Sequence, residues 1–117
     1  MQTLYDMHSH LDFSDSYPAI AKDAAELDIR AIDSTVIPSS FVSAHAALEN
    51  CPNVDVSLGM HPWWIASNRV GEADMASFEN LLTQTKLVGE IGLDFNARFK
   101  NTIERQTEAL QRICSSL

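Results

Sequence analysis

The chain has 117 residues, 45% of them hydrophobic and 21% charged, with a net charge of −8 from 16 acidic and 8 basic side chains. That length allows one domain with a sizeable core, and the acidity disfavours tight non-specific binding to a duplex phosphate backbone. No apolar run reaches membrane-spanning length and no basic, apolar leader precedes the first strand, so neither a membrane partner nor secretion is expected.

A first strand ends in Leu4-Tyr5 and runs into Asp6-Met7-His8-Ser9-His10. Tyr17-Pro18 opens a helix whose packed residues are expected to be Ile20, Ala24 and Leu27. Ile29 to Val36 reads as a second strand stopped by Pro38. Ser39 or Ser40 then caps a helix carrying Phe41, Val42 and Leu48. Val54 to Leu58 alternates as a third strand and ends at Gly59-Met60-His61-Pro62-Trp63-Trp64. A loop through Gly71 leads to a helix with Met75, Phe78, Leu81 and Leu82 on one face. Leu87-Val88 starts a fourth strand that runs into Gly89-Glu90-Ile91-Gly92-Leu93-Asp94. Asn101, with Glu104 three residues on, resembles a helix-opening cap for a last helix through Ile103, Leu110, Ile113 and Leu117. Cys51 and Cys114 are too few for a disulfide framework and are expected to be reduced, packed thiols in a cytoplasmic protein.

Strand and helix alternate four times, which predicts a parallel sheet covered by helices. Two architectures fit, an open doubly wound sheet or part of a (β/α)8 TIM-type barrel. His8, His10, His61 and Glu90 fall at the carboxyl ends of three strands, where barrel enzymes assemble their sites, and no glycine-rich phosphate turn is present. The barrel is favoured. A whole barrel takes about 250 residues, so residues 1–117 are expected to be its first four βα units. Ser115-Ser116-Leu117 carries no helix-stop signal. It reads as a cut in mid-course, either the first half of a longer protein or one of two copies that pair through open barrel edges.

Alternation along a strand puts His8 and His10 on one face, where two imidazoles can chelate a metal ion; the bland alternative is two histidines exposed by chance. Glu90 lies in an apolar run between glycines, and a carboxylate there needs a partner. His45 is expected on the packed side of its helix in a structural role. Asp33, inside the second strand, is expected to be structural.

Three motifs, Asp6-Met7-His8-Ser9-His10-Leu11-Asp12, Gly59-Met60-His61-Pro62 and Gly89-Glu90-Ile91-Gly92-Leu93-Asp94-Phe95, resemble those of the TatD-type metal-dependent hydrolases, the TatD DNases. The resemblance implies a divalent ion held by His8 and His10 and bridged through Glu90 to a second, the ions being zinc, magnesium or manganese. At most one is expected for this chain alone, because the family's ligands from later strands are missing. It further implies hydrolysis of phosphodiester bonds, deoxyribonuclease or 3'-5' exonuclease-like, by water that the two metals activate. Glu90 and His61 would then be catalytic, and His61 would also contact substrate. Asp12 and Asp94 would orient the histidines, and Asp6, two residues before His8 on the same strand face, is expected from its position to support it. Trp63 departs from the family's frequent second histidine at that place, and would line the pocket and stack on a base or sugar, or else pack the rim. The substrate would be a nucleic-acid end or a phosphorylated small molecule.

Two other readings stay open. Polymerase-and-histidinol-phosphatase (PHP) phosphoesterases also begin with His-x-His and a Ser-Asp pair, here Ser14-Asp15, but lack the other two motifs. A non-catalytic metal-binding half-barrel or self-associating fragment is the second. In a dimer, Glu90 of one copy is expected near His8 and His10 of the other.

Overall fold

The structure, a computed structural model, describes residues 2–117. Strands β1 (Leu4–Ser9), β2 (Ile29–Ser34) and β3 (Val54–Ser57) pair in parallel in the order β1-β2-β3. The helices are α1 (Tyr17–Glu26), α2 (Pro38–Ala47), α3 (Pro62–Ala66), α4 (Glu72–Leu81) and α5 (Ile103–Ser116), with short 3-10 turns at Leu11–Phe13, Leu82–Gln84 and Ala97–Thr102. Leu4 pairs with Ile29 and Asp6 with Ala31, but Ser9 pairs with Asp33. One extra residue is therefore accommodated between Asp6 and Ser9, and such an insertion bends a strand. The bend falls where β1 delivers its histidines.

The fourth strand is shorter than expected. Its one ladder pair is Leu58 with Val88, in parallel. The backbone beyond is held by single bonds, from Gly89 N to Leu58 O at 2.9 Å, Glu90 N to Thr35 O at 3.0 Å, and Met60 N to Glu90 O at 2.8 Å. Gly59 makes this convergence possible, because a Cβ there would lie 1.8 Å from the Thr35 carbonyl oxygen. No side chain fits between those two segments.

Helix boundaries differ in three places. Pro38 does not stop β2; it occupies the first turn of α2, behind Ile37 as N-cap, where a proline loses no bond. The segment after His61 is a helical turn, α3, and not a loop, with Pro62 at its start. Asn101 lies inside a 3-10 turn and Thr102 precedes α5 without a side-chain cap bond, so the expected cap is not formed.

The main core gathers Phe41, Leu58, Met60, Ile65, Phe78 and Ile113 where α2, α3, α4 and α5 meet β3 and its extension. A second cluster, Ala21, Ala31, Leu48, Cys51 and Val54, sits under α1 and α2. The apolar face expected for α1 does not form: Ala21 is buried, while Ile20 and Leu27 are exposed. Val42 is exposed as well. Among the described residues nothing covers these three side chains. Cys114 is exposed, against expectation; Cys51 is buried. The radius of gyration is 15.2 Å, against about 13 Å for a closed domain of this length. An open sheet accounts for the excess: β1 exposes Leu4, Tyr5 and Met7.

Candidate metal centre

Strand β1 carries His8 near its end, and His10 follows one residue after it. Glu90 arrives from the far side of the sheet, its backbone clamped between Thr35 and Met60. The three side chains converge. His8 Nε2 lies 3.5 Å from Glu90 Oε1 and His10 Nε2 lies 3.3 Å from Glu90 Oε2. One donor atom from each of the three lies within 4.8 Å of the others, the one such group of three or more among the described residues. All this happens within a single chain. Adjacency across one sheet brings Glu90 to both histidines, so this meeting does not depend on the dimer in which Glu90 of one copy would face His8 and His10 of the other.

The donor chemistry fits a divalent cation. His10 Nδ1 lies 2.7 Å from the carbonyl oxygen of Ser34. A carbonyl only accepts, so Nδ1 carries the hydrogen and, in the neutral ring, Nε2 turns a lone pair toward the glutamate. A bare lone pair facing a carboxylate is repulsive. Protonating both imidazoles, whose ring centroids are 5.0 Å apart, exchanges that repulsion for one between two cations. One divalent ion among two imidazoles and a carboxylate satisfies all three, and this N/O set is typical for zinc and similar ions.

His61 lies beside this group without joining it. It is the N-cap of α3, and its Nδ1 accepts the backbone N–H of Trp63 at 3.1 Å. The neutral ring therefore keeps its hydrogen on Nε2. Burial lowers its pKa below the ordinary value, while the negative charges of Glu90 and Asp94 pull the other way. A cleft of about 420 Å³ is lined by Phe13 and Trp63 together with His10, His61 and Glu90. The Phe13 ring stacks on His10 with centroids 4.6 Å apart.

The three supporting aspartates have other partners than expected. Asp6 accepts the His8 backbone N–H at 3.2 Å, not the ring. Asp12 turns to Asp33, whose Oδ1 accepts the Asp12 backbone N–H at 3.2 Å. Asp33 is fully buried, and Asp12 Oδ1 and Asp33 Oδ2 have no donor. Burial and the neighbouring Asp33 push the Asp12 pKa up to about 6. Asp94 accepts from the indole Nε1–H of Trp63 and, at 2.7 Å, from the backbone N–H of Asn96; the two bonds hold its pKa below the usual value. Orientation of His10 falls instead to a main-chain carbonyl, which no side-chain pattern announces. His45 is exposed, its ring 5.3 Å from that of Phe41, so the expectation of a packed histidine is corrected.

Two further residues escaped the sequence reading. Gln106 of α5 is fully buried; its Oε1 accepts the Asp94 backbone N–H at 2.8 Å and its Nε2 donates to the Asp94 carbonyl at 3.1 Å. Phe13, one residue past the first motif, had proximity to His10 as its only signal.

A parallel βα sheet with a His-x-His and a glutamate brought together where its strands end defines a barrel-type α/β fold with a side-chain group able to hold a metal ion. The sequence profile of the TatD related DNases matches residues 5–116, and the chain belongs to that family. The crystal structure of YjjV, a TatD homologue from Escherichia coli K12, matches with a TM-score of 0.80 at 25% identity. The match covers 97% of this chain and 46% of YjjV, so the chain spans less than half of that relative. No curated protein sequence matches.

Proposed function

We propose that the chain supplies the first part of the active site of a metal-dependent hydrolase that cleaves phosphodiester bonds, acting on nucleic-acid ends in the manner of a deoxyribonuclease. The observation that carries this reading is the convergence of His8, His10 and Glu90, with the His10 lone pair aimed at the carboxylate. Family membership and the match to YjjV support it.

In this reading His8, His10 and Glu90 hold the ion. A divalent metal there supplies Lewis acidity toward a phosphoryl oxygen and neutralises its charge. His61 keeps a proton on Nε2 and donates it as a hydrogen bond to a substrate oxygen in the cleft. Phe13 and Trp63 wall that cleft, confine the substrate and limit water. With three donors from this chain, one ion is the expected content; a second needs ligands from elsewhere. A complementary half-barrel, or a second copy on the open edges, is the proposed source. Free Cys51 and Cys114 accord with a cytoplasmic setting. Among the described residues no helix is long and apolar enough to cross a membrane.

The test is calorimetric titration of the chain with Zn²⁺ and Mn²⁺, together with light-scattering mass and hydrolysis of a fluorescent single-stranded oligonucleotide. Stoichiometric metal binding that His8→Ala and Glu90→Gln each abolish, with metal-dependent cleavage, supports the proposal. Stoichiometric metal without cleavage identifies a non-catalytic metal-binding half-barrel instead, and absence of metal binding refutes the metal role itself.

A further inference from the structure

The Arg98 guanidinium carbon lies 4.7 Å from the centre of the Trp63 ring and 4.6 Å from that of Phe99. Those rings are 6.2 Å apart, inclined by 41°. Stacking on aromatic faces engages the face of a guanidinium and leaves its in-plane N–H donors free. They are free here: among the described residues the Arg98 side chain makes no hydrogen bond and no ion pair, whereas Arg112 is paired with Glu72 and Glu79. The nearby Asp94 carboxylate, whose pKa the Arg98 charge helps to lower, takes its hydrogen bonds from the Trp63 indole and the Asn96 amide and none from the guanidinium.

The platform under Arg98 is held in place. Trp63 is tied through Nε1–H to Asp94, and the Asp94 backbone is gripped on both sides by the buried Gln106. Trp63 also forms one wall of the cleft, and its ring is 5.1 Å from that of His61. One indole therefore both lines the cleft and carries a stacked guanidinium. In a chain of net charge −8, such a cation counters the field that repels an anionic ligand.

We propose that Arg98, stacked on Trp63 and Phe99, is a phosphate-binding subsite on the rim of the cleft, which takes a phosphate adjacent to the one held over His8, His10 and Glu90. The subsite rests on the functional reading above, but its affinity for phosphate does not require the metal.

The test compares binding of thymidine 5'-monophosphate with that of thymidine in EDTA, by calorimetry on the full chain and on Arg98→Ala, Arg98→Lys and Lys100→Ala. Lys100 is exposed and close in sequence, so its variant controls for the loss of one positive charge. The monophosphate is expected to bind the unaltered chain about tenfold more tightly than thymidine, as charged hydrogen bonds of this kind allow. Arg98→Ala should lose that preference, Arg98→Lys recover part of it, and Lys100→Ala retain it. Equal preference in Arg98→Ala and the unaltered chain, or equal loss in Lys100→Ala, overturns the proposal. Circular dichroism verifies the fold of each variant, and Zn²⁺ titration separates the two readings. Normal metal binding with no role for Arg98 removes the subsite alone; absent metal binding with an Arg98-dependent preference removes the metal reading and leaves the subsite.

Discussion

Ser34 touches both histidines of the cluster. Its carbonyl oxygen accepts the Nδ1–H of His10 at 2.7 Å, and its hydroxyl lies 3.5 Å from Nδ1 of His8. A residue at the end of β2 thus sets the tautomer of His10 and borders His8. The contact to His10 is made by the main chain, so a side-chain substitution spares it. Ser34→Ala is expected to weaken Zn²⁺ binding by less than the ~10–100-fold typical of outer partners, and His10→Ala by more. Calorimetric titration of both variants measures the difference. A Ser34→Ala loss as large as that of His10→Ala would show that the hydroxyl, and not the carbonyl, orients the site.

His61 is held below its ordinary pKa, first by burial. The folded chain therefore binds fewer protons at this ring than the unfolded chain does, in the window between the folded pKa and the unfolded 6.5. Its contribution to stability is complete above that window and declines as pH falls through it. Nitrogen-resolved NMR titration should give a His61 midpoint below 6.5, with the neutral ring protonated on Nε2. A neutral ring protonated on Nδ1 would remove the hydrogen-bond role proposed for it.

The Asp12–Asp33 pair has the opposite sign. With Asp12 raised from 3.8 to about 6, stability falls as pH rises across that interval and stays lower above it. Asp12→Asn should stabilise the metal-free chain at pH 7 by about 1 kcal/mol, a value reduced from the full shift because the group is partly solvated. Below pH 4 the gain should vanish. Urea unfolding at the two pH values measures it.

Gly59 admits the Thr35 carbonyl that in turn accepts from Glu90 N. Gly59→Ala is expected to cost about 3–5 kcal/mol, at the severe end for a point change, because backbone on both sides must move. Gly71→Ala meets nothing within 4 Å and should be nearly neutral. Thermal melts of the pair separate a steric requirement from a general intolerance of Cβ atoms.

Gln106→Leu keeps the volume of α5 but leaves the Asp94 amide and carbonyl without their partners. A loss of about 1–3 kcal/mol is expected from the unpaired groups. Because Asp94 holds Trp63, the indole should also become more mobile, which fluorescence anisotropy at that ring reads, with Trp64→Phe as background.

Parallel βα order and the place of His8, His10 and Glu90 at strand ends were legible from local pattern. Alternation in a strand, apolar runs bounded by proline and glycine, and histidine spacing are short-range properties that survive without a fold. The family motifs carried the rest of that reading, down to Glu90 as the partner of two residues eighty positions away. Tertiary structure alone decided who supports whom. Asp12 has the composition of a histidine support but faces Asp33, and a backbone carbonyl does the orienting, which leaves no trace in residue identity. The exposure of Ile20 and Leu27 was equally hidden, since periodicity predicts an apolar face without saying whether anything lies against it. Arg98 gains its meaning only from two rings brought under it by α3 and the 3-10 turn before α5. Local chemistry dictated which residues this chain offers, and packing across the sheet assigned them to one another.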